Sequence, residues 1–402
     1  MISSSPRQTA RRWLESPRAL LRDPVVVYAL AIALVSRIAL AGVMWLSLRA
    51  IPRLPLYPAQ YDDNFFPDHP SLDGWARWDT AHYVNLALHG YGSDNPSPHG
   101  GLGFFPLYSL LMRGLVEVTG AAATPANLAL AGLVVANICF FVAVAFLARL
   151  AADHFGAEAG KNAALLLCVA PLSFFFNAAY TESLFLVLSL ASLTAASRGR
   201  WWWAAAIAGI VTGTRLVGLA LPAALLFFAW RRRTSFRDLI AICLISPLGI
   251  AAFFAYTWLA HDNLFAYFDA QSTWGGWDEH VRFYADLFLT RPNEALRGDP
   301  RHLIIIFNVA LAALYLAFVP AIWRRLNPGI ALFSILLIVI QTAFTWVSLG
   351  RYLLPAVGLY LVVGLLLTQT RYPPWVRDAV VIASTILMAA LAVLYGHGFW
   401  VV

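Results

Sequence analysis

A carboxylate and an imidazole lie three residues apart in residues 73–83, a polar, aromatic-rich stretch of a chain that is otherwise mostly apolar. Residues 80–88 have the spacing of a short helix, and Asp79 stands where its N-cap would be. Asp79 and His82 would then share one side of the helix. The helix dipole keeps such a carboxylate ionised, so Asp79 is a candidate to accept a proton from a hydroxyl group. The alternative is that Asp79 only caps the helix.

The predicted helix would lie at the membrane surface. Trp75 and Trp78 would anchor it there, because indole rings favour the headgroup region. Tyr83 falls on the face of the helix that carries its apolar residues. We therefore expect Trp78 and Tyr83 to stand beside Asp79 in a substrate pocket.

A second polar cluster, residues 177–182, immediately precedes an apolar span. Polar side chains at this depth are costly and usually functional, so the cluster predicts a pocket that faces the loop of Asp79. The members that we assign to this pocket are Asn177, Tyr180 and Glu182. For Glu182 the alternative is an acid that is merely solvated at the end of a span.

Two arginines stand beside glycines near predicted helix ends. Arg215 lies inside apolar sequence near Gly213, and Arg351 follows Gly350. A guanidinium group matches phosphate with two parallel hydrogen bonds, so both arginines are candidates to bind a lipid phosphate. The alternative is a structural ion pair, for example between Arg215 and Glu182. Arg37, inside the first span, has the same two interpretations.

The composition indicates a membrane protein. Of the 402 residues 60% are hydrophobic and only 12% are charged, and several apolar runs reach the roughly 20 residues that cross a bilayer. The net charge of +7 comes almost wholly from arginine, with Lys161 the only lysine. These arginines stand in short loops, which indicates membrane topology and anionic lipid headgroups instead of nucleic acid.

The pattern predicts an all-α polytopic membrane protein with about eleven spans, which form a single integral membrane domain over residues 1–402. The spans are expected near 25–48, 127–149, 162–179, 183–197, 238–260, 302–323, 330–348, 352–369 and 378–396, with a hairpin of two short helices that meet near Arg215 between 201 and 230. Residues 1–24 form a basic cytoplasmic arm. The first large loop (49–126) and the second (261–301) then lie on the non-cytoplasmic side.

Metal and cofactor chemistry have no clear signature in the sequence. The three cysteines fall inside apolar runs, and the loop histidines lack the spacing of metal ligands. We therefore predict no cofactor and no metal site, although the sequence leaves the need for a divalent cation open.

Four blocks of the sequence resemble one family. The stretch from Arg77 to Tyr108 is similar to the first-loop signature of the PIG-V family, the GPI mannosyltransferase 2 enzymes and their prokaryotic relatives within the GT-C superfamily. Further similar blocks are residues 177–185, 212–218 and 351–355, although the third lacks the asparagine expected after Arg215. The resemblance covers about residues 36–360 and implies a GT-C-like helical bundle whose large first loop carries the reactive groups.

The resemblance also implies an activity, the transfer of a hexose, usually mannose, from a polyprenyl-phosphate carrier to an acceptor hydroxyl with inversion. Asp79 would be the base, supported by His82 and Arg77. Arg215 and Arg351 would hold the donor phosphate, and their charge could replace a metal ion. The alanine-, leucine- and arginine-rich residue usage suggests a GC-rich bacterium, so we expect the protein in a bacterial plasma membrane. A bacterium has no GPI anchor, so the acceptor would be another glycolipid, a cell-wall glycan or a protein.

Two other classes of function compete with an enzyme. A transporter or flippase of lipid-linked sugars predicts inverted repeats and broken helices in both halves, and only one broken region is expected, near Arg215. A non-catalytic scaffold would leave Asp79 replaceable, since a cap is worth only about 1 kcal/mol.

Overall fold

The computed structural model describes residues 22–51, 64–274, 300–344, 348–369 and 373–401, together with Arg282 and Ala285. Throughout these residues the regular structure is helical, which confirms the predicted all-α class. Most of the predicted basic arm (1–24) and much of the second large loop (261–301) lie outside the described residues.

The helices are numbered here in chain order. They are α1 (Pro24–Ala50), α2 (Pro70–Asp73), α3 (Asp79–His89), α4 (Leu107–Val118), α5 (Pro125–Phe155), α6 (Ala157–Val169), α7 (Glu182–Ser197), α8 (Trp201–Thr212), α9 (Ala220–Arg231), α10 (Phe236–Ile245), α11 (Leu248–His261), α12 (Ala266–Gln271), α13 (Pro300–Arg325), α14 (Pro328–Phe344), α15 (Leu349–Leu353), α16 (Gly358–Leu366) and α17 (Pro374–Gly396).

Five helical stretches in the described residues are long and apolar enough to cross a bilayer, and four more are apolar but shorter. The long ones are α1, α5, α10 with α11, most of α13, and α17. The chain is therefore a multi-pass membrane protein, as the composition predicts. The predicted hairpin near Arg215 is also present, because α8 and α9 are separated by residues 213–215 and a 3₁₀ turn at Leu216–Leu219.

Three predicted spans are wrong as continuous helices, and one of them, expected at 238–260, is divided into α10 and α11 at Pro247. The span expected at 162–179 ends with α6 at Val169, ahead of Pro171, and the one expected at 352–369 is divided into α15 and α16 around Pro355. A proline removes a backbone donor and clashes with the preceding turn, so a helix ends close to it. The interruptions after α6 and α15 lie where the chain is buried against other helices, the condition under which irregular backbone is tolerated inside a membrane.

The first large loop folds back onto the bundle. Its short helices α2, α3 and α4 confirm the helices expected there, and α3 packs on α4 and α5. Trp75 is only 6% exposed and belongs to the main core. The prediction that Trp75 anchors the loop in the headgroup region is therefore wrong, because its ring is buried among helices.

The segment between α6 and α7 is held by Arg37 of α1. The guanidinium group of Arg37 donates to the Cys168 carbonyl at 3.3 Å, to the Ser173 carbonyl and hydroxyl at 3.1 Å each, and to Asn177 Oδ1 at 3.0 Å. The last carbonyl groups of a helix lack partners within the helix. A cation at that end is also stabilised by the negative end of the helix dipole. Arg37 therefore satisfies the broken end of α6.

A close approach of α8 and α11 fixes the position of Arg215. A Cβ atom on Gly249 would overlap the Gly209 carbonyl and the Gly213 backbone nitrogen. The Thr212 hydroxyl reaches the same contact, because it donates to the Ser246 carbonyl at 3.1 Å. The two helices can approach this closely only because none of the three glycines has a side chain.

We expect Gly249→Ala to lower the thermal unfolding midpoint of the purified protein by several degrees, because the added methyl group must push α8 from α11. Gly114→Ala is the matched control, since a Cβ there would meet nothing within 4 Å. Equal midpoints for the two variants, measured in the same detergent, would show that the α8–α11 contact is not tight.

Candidate active site

Asp79 is the first residue of α3, and its carboxylate turns away from the helix end. The helix predicted over residues 80–88 is confirmed. The prediction that Asp79 is its N-cap is wrong, because Trp78 occupies that position and no side chain caps the helix. Trp78 has a φ angle of 56°, a region that costs a non-glycine residue of order 1–3 kcal/mol. This backbone conformation directs Asp79 toward Arg351.

Four charged side chains form a row with alternating sign. Arg351 Nη1 lies 2.8 Å from Asp79 Oδ2, and Arg351 Nε lies 3.2 Å from Glu182 Oε1. The same Glu182 oxygen accepts a hydrogen bond from Arg215 Nη1 at 3.0 Å. We call these residues the charge row. It brings together residues from the first loop, α7, the hairpin and α15.

The two ends of the charge row are its accessible parts. The side chains of Glu182 and Arg351, in the middle, are 2% and 3% exposed, whereas those of Asp79 and Arg215 are 19% and 14% exposed. Burial of an unpaired charge costs several kcal/mol, and alternation of sign offsets this cost for the inner pair. The predicted alternative of an ion pair between Arg215 and Glu182 is therefore present, within a larger arrangement.

Aromatic rings cover both arginines. The ring of Tyr352 lies 4.4 Å from the Arg215 guanidinium carbon and 4.7 Å from that of Arg351. The Arg351 group also lies over Tyr180, at 4.9 Å from its centroid. Such cation–π contacts are stronger where water is excluded. Tyr180, predicted in the substrate pocket, thus lies against the charge row.

Arg77 supports the loop below Asp79. Its guanidinium group forms an ion pair of 2.9 Å with Asp73, and both side chains are buried. The Arg77 carbonyl accepts hydrogen bonds from the hydroxyl groups of Tyr180, at 2.9 Å, and Tyr395, at 3.4 Å. These bonds tie the loop to the α6–α7 segment and to α17, so Arg77 positions the turn that precedes Asp79.

His82 lies one helical turn from Asp79 and stays neutral. Its Nδ1 atom is 3.0 Å from the Ser97 hydroxyl, and its ring stacks on Phe104 at 4.6 Å between centroids. Burial lowers the pKa of His82, and the negative charge of Asp79 offsets this only in part. The predicted proximity of the imidazole to the carboxylate is therefore retained in the folded chain.

Tyr83 and Trp78 occupy different places around Asp79. The Tyr83 hydroxyl lies 3.4 Å from the Thr181 hydroxyl, next to Glu182. Burial, followed by the charges of Glu182 and Asp79, raises the pKa of Tyr83, so its hydroxyl keeps its proton. Trp78 packs its ring edge-on against Trp400 at 5.0 Å, which connects the strained turn to the chain beyond α17.

Asn177 belongs to a different group of residues. Its side-chain oxygen accepts from Arg37, and its carbonyl accepts from Asn137 at 3.4 Å. With these two residues it lines a cavity of about 690 Å³ beside α1 and α5. The structure thus separates Asn177 from the charge row, to which Tyr180 and Glu182 contribute.

Sequence reasoning missed three residues of the site. Of the three, Tyr352 is the residue that the sequence could have indicated, because it directly follows Arg351. Thr181 was noted only as a member of its cluster. Tyr395 stands about 300 residues from its partner Arg77, and nothing in the local sequence indicates that contact.

Residues 64–262 match the family model described as Mannosyltransferase (PIG-V). The mouse protein GPI alpha-1,6-mannosyltransferase 2 (Mus musculus) is 29% identical over 161 residues, which are 37% of this chain and 30% of that protein. GPI mannosyltransferase 2 of Drosophila melanogaster is 31% identical over 124 residues, which are 30% of this chain and 26% of that protein. The matched region thus spans less than a third of either relative.

One solved structure shares the fold. It is the crystal structure of ArnT from Cupriavidus metallidurans bound to undecaprenyl phosphate, with a TM-score of 0.51 and 17% sequence identity over 91% of this chain and 63% of that chain. At this identity the likeness shows a common fold only. Asp79, Glu182 and Arg215 lie within the residues matched by the family model, whereas Arg351 lies outside them.

The lowered pKa of His82 makes stability depend on pH. Below about pH 6.5 the unfolded chain binds a proton on His82 more readily than the folded chain does. The stability that His82 contributes is therefore fully present above about pH 6.5, and it is lost as the pH falls through the lowered pKa of His82 in the folded chain. We expect His82→Phe to show a smaller drop in unfolding midpoint between pH 7.5 and pH 5 than the wild type. The control His89→Gln, at the exposed end of α3, should keep the wild-type drop.

Proposed function

We propose that this chain, whose residues 64–262 match the PIG-V mannosyltransferase family model, is a membrane glycosyltransferase that uses a lipid-linked hexose. The donor is a hexose, mannose by the family likeness, joined to a polyprenyl phosphate, and the acceptor is a hydroxyl group of a glycolipid, a glycan or a protein. The observation that carries the proposal is the charge row, in which a carboxylate and two arginines meet beside the first loop. It provides a proton acceptor and two phosphate ligands within one site.

The proposed reaction is a single displacement. The acceptor oxygen attacks the anomeric carbon while its proton passes to Asp79, and the bond from that carbon to the phosphate oxygen breaks. The electron pair of the broken bond remains on the phosphate, where Arg215 and Arg351 stabilise the added charge. One displacement at one carbon inverts its configuration. Asp79 suits the role of base because it is the more exposed carboxylate of the charge row.

Binding of the donor would also prepare the base. Without ligand, the carboxylates of Asp79 and Glu182 both lie beside the Arg351 guanidinium group, so Asp79 is held in an ion pair. A phosphate group competes for the same guanidinium group. Its arrival would draw Arg351 from Asp79 and leave that carboxylate free to accept a proton from the acceptor.

The location follows from the same reasoning. The first loop carries Asp79, and the excess of arginine in the alternate loops favours a cytoplasmic N-terminus and a non-cytoplasmic first loop. We infer a single integral membrane domain in a bacterial plasma membrane, with the reaction on the non-cytoplasmic face. The solved ArnT structure, which shares the fold, is bound to undecaprenyl phosphate, and this supports a carrier of the same chemical class.

The central test compares the wild type with Asp79→Asn on polyprenyl-phosphate-mannose and a panel of hydroxyl acceptors. We expect the variant to lose at least about 100-fold in turnover, the range for removal of a general base. Asp94→Asn is the matched control, because Asp94 is an exposed acid of the same loop and should leave transfer unchanged. Undiminished transfer by Asp79→Asn contradicts the base, and movement of the lipid across a vesicle membrane without transfer favours a flippase.

The arginines are tested separately. Arg215→Ala and Arg351→Ala should each raise the KM for the donor by about tenfold or more, because a charged hydrogen bond to phosphate is lost. The KM for the acceptor should change much less. Steady-state kinetics with each substrate varied in turn measures both constants, and an unchanged donor KM in both variants removes the arginines from the site.

A further inference from the structure

Tyr352 stands between the two arginines of the charge row and has no role in the reaction as described so far. Its ring is the common surface of Arg215 and Arg351, at 4.4 and 4.7 Å from their guanidinium carbons. The two cations would repel each other across this short gap. Glu182 offsets that repulsion on one side, and the electron-rich face of Tyr352 offsets it on the other.

The Tyr352 hydroxyl also fixes the orientation of Arg351. Arg351 Nη2 donates a hydrogen bond to Tyr352 Oη at 2.8 Å, while Nη1 faces Asp79 and Nε faces Glu182. All three nitrogens of this guanidinium group therefore have a defined neighbour. Arg215, in contrast, pairs with the acid Glu182 and lies over the ring of Tyr352, and it is the more exposed of the two arginines.

The hydroxyl still has a proton to donate. Tyr352 Oη accepts from Arg351, and within the described part of the chain it donates to no acceptor. The residue is partly exposed, unlike Arg351 beside it. A hydroxyl group that stands against two cations is a suitable third donor to an anion that those cations attract.

We propose that Tyr352 is a binding residue for the donor phosphate. Its ring holds the two guanidinium groups at a fixed separation, and its hydroxyl donates to a phosphate oxygen when the anion arrives. This inference rests on the proposed function, since it takes a polyprenyl phosphate as the ligand. It adds a neutral donor to two cationic ones, and it explains why the residue after Arg351 is aromatic and carries a hydroxyl.

The experiment measures the affinity of the purified protein for a polyprenyl phosphate without sugar, together with the donor KM and kcat. Tyr352→Phe removes only the hydroxyl and should weaken polyprenyl phosphate binding about tenfold. Tyr352→Leu removes the ring as well and should weaken it further. Both variants should raise the donor KM more than they lower kcat, because the lost contact is with the carrier phosphate.

Tyr360→Phe is the matched control. Tyr360 is buried in α16, and its hydroxyl accepts a hydrogen bond from Tyr315 at 3.2 Å. Tyr360→Phe therefore also deletes one tyrosine hydroxyl group, but at a site outside the charge row. This variant should lose stability and keep the affinity for the lipid. A parallel loss of affinity in Tyr352→Phe and Tyr360→Phe would reduce Tyr352 to a structural role and overturn the inference.

A second comparison tests the link to Arg351. In an Arg351→Lys background, the substitution Tyr352→Phe should weaken binding much less than in the wild type, because the oriented pair is already broken. If Tyr352→Phe weakens polyprenyl phosphate binding equally in both backgrounds, Tyr352 does not act together with Arg351 and this part of the inference is overturned.

The outcomes for Tyr352 and for the whole reaction are distinct. Wild-type protein that binds no polyprenyl phosphate contradicts the proposed donor class. Wild-type protein that binds it, with Tyr352→Phe equal in affinity, contradicts the inference about Tyr352 alone. Inorganic phosphate serves as the additional probe, and we expect it to bind far more weakly than the lipid, since it lacks the polyprenyl chain.

Discussion

The placement of four charges, the inner two of them buried, in a mostly apolar protein is the constraint on which the rest of this structure depends. Each charge of the row would be costly alone, and each is offset by a neighbour of opposite sign. The order of signs is therefore fixed once the chain folds. The row also explains why aromatic residues surround it, because Tyr180 and Tyr352 give the arginines contact without adding charge.

Interrupted helices make this arrangement possible. Glu182 begins α7 directly after the irregular segment that Arg37 ties to α6, Arg215 lies in the break of the hairpin, and Arg351 lies in the short helix α15. If these helices were continuous, the side chains of Glu182, Arg215 and Arg351 would each follow the regular helical spacing and would not be brought to one point. The breaks direct three helix ends to one point, and the protein around them satisfies the freed backbone groups.

In the proposed reaction, the same charges would give the site two states. In the ligand-free chain the row is neutral as a whole, since two acids face two arginines. An incoming phosphate adds negative charge beside the arginines, and the carboxylates then compete with it for the same guanidinium groups. A site of this kind would link the binding of the donor to the release of Asp79, the residue that we propose to serve the acceptor.

The sequence by itself determined the class of the protein and the four residues of the charge row. Apolar runs of bilayer length predict spanning helices wherever they occur, and polar residues inside such runs are rare enough to be noticed, so Asp79, Glu182, Arg215 and Arg351 could be identified. Proline positions also explain where α6 and α15 end, and they divide spans that the apolar runs predict as continuous.

Only the tertiary structure decided which of these residues meet. Asn177 and Glu182 are five positions apart, yet one faces Arg37 and the other faces Arg351. Asp79 looks like a helix cap in the sequence, and a partner 272 residues away makes it part of an ion pair instead. Tyr352, in α15, contacts Arg215 of the hairpin between α8 and α9. Contacts between distant segments depend on how helices pack, and local residue patterns carry no record of that packing.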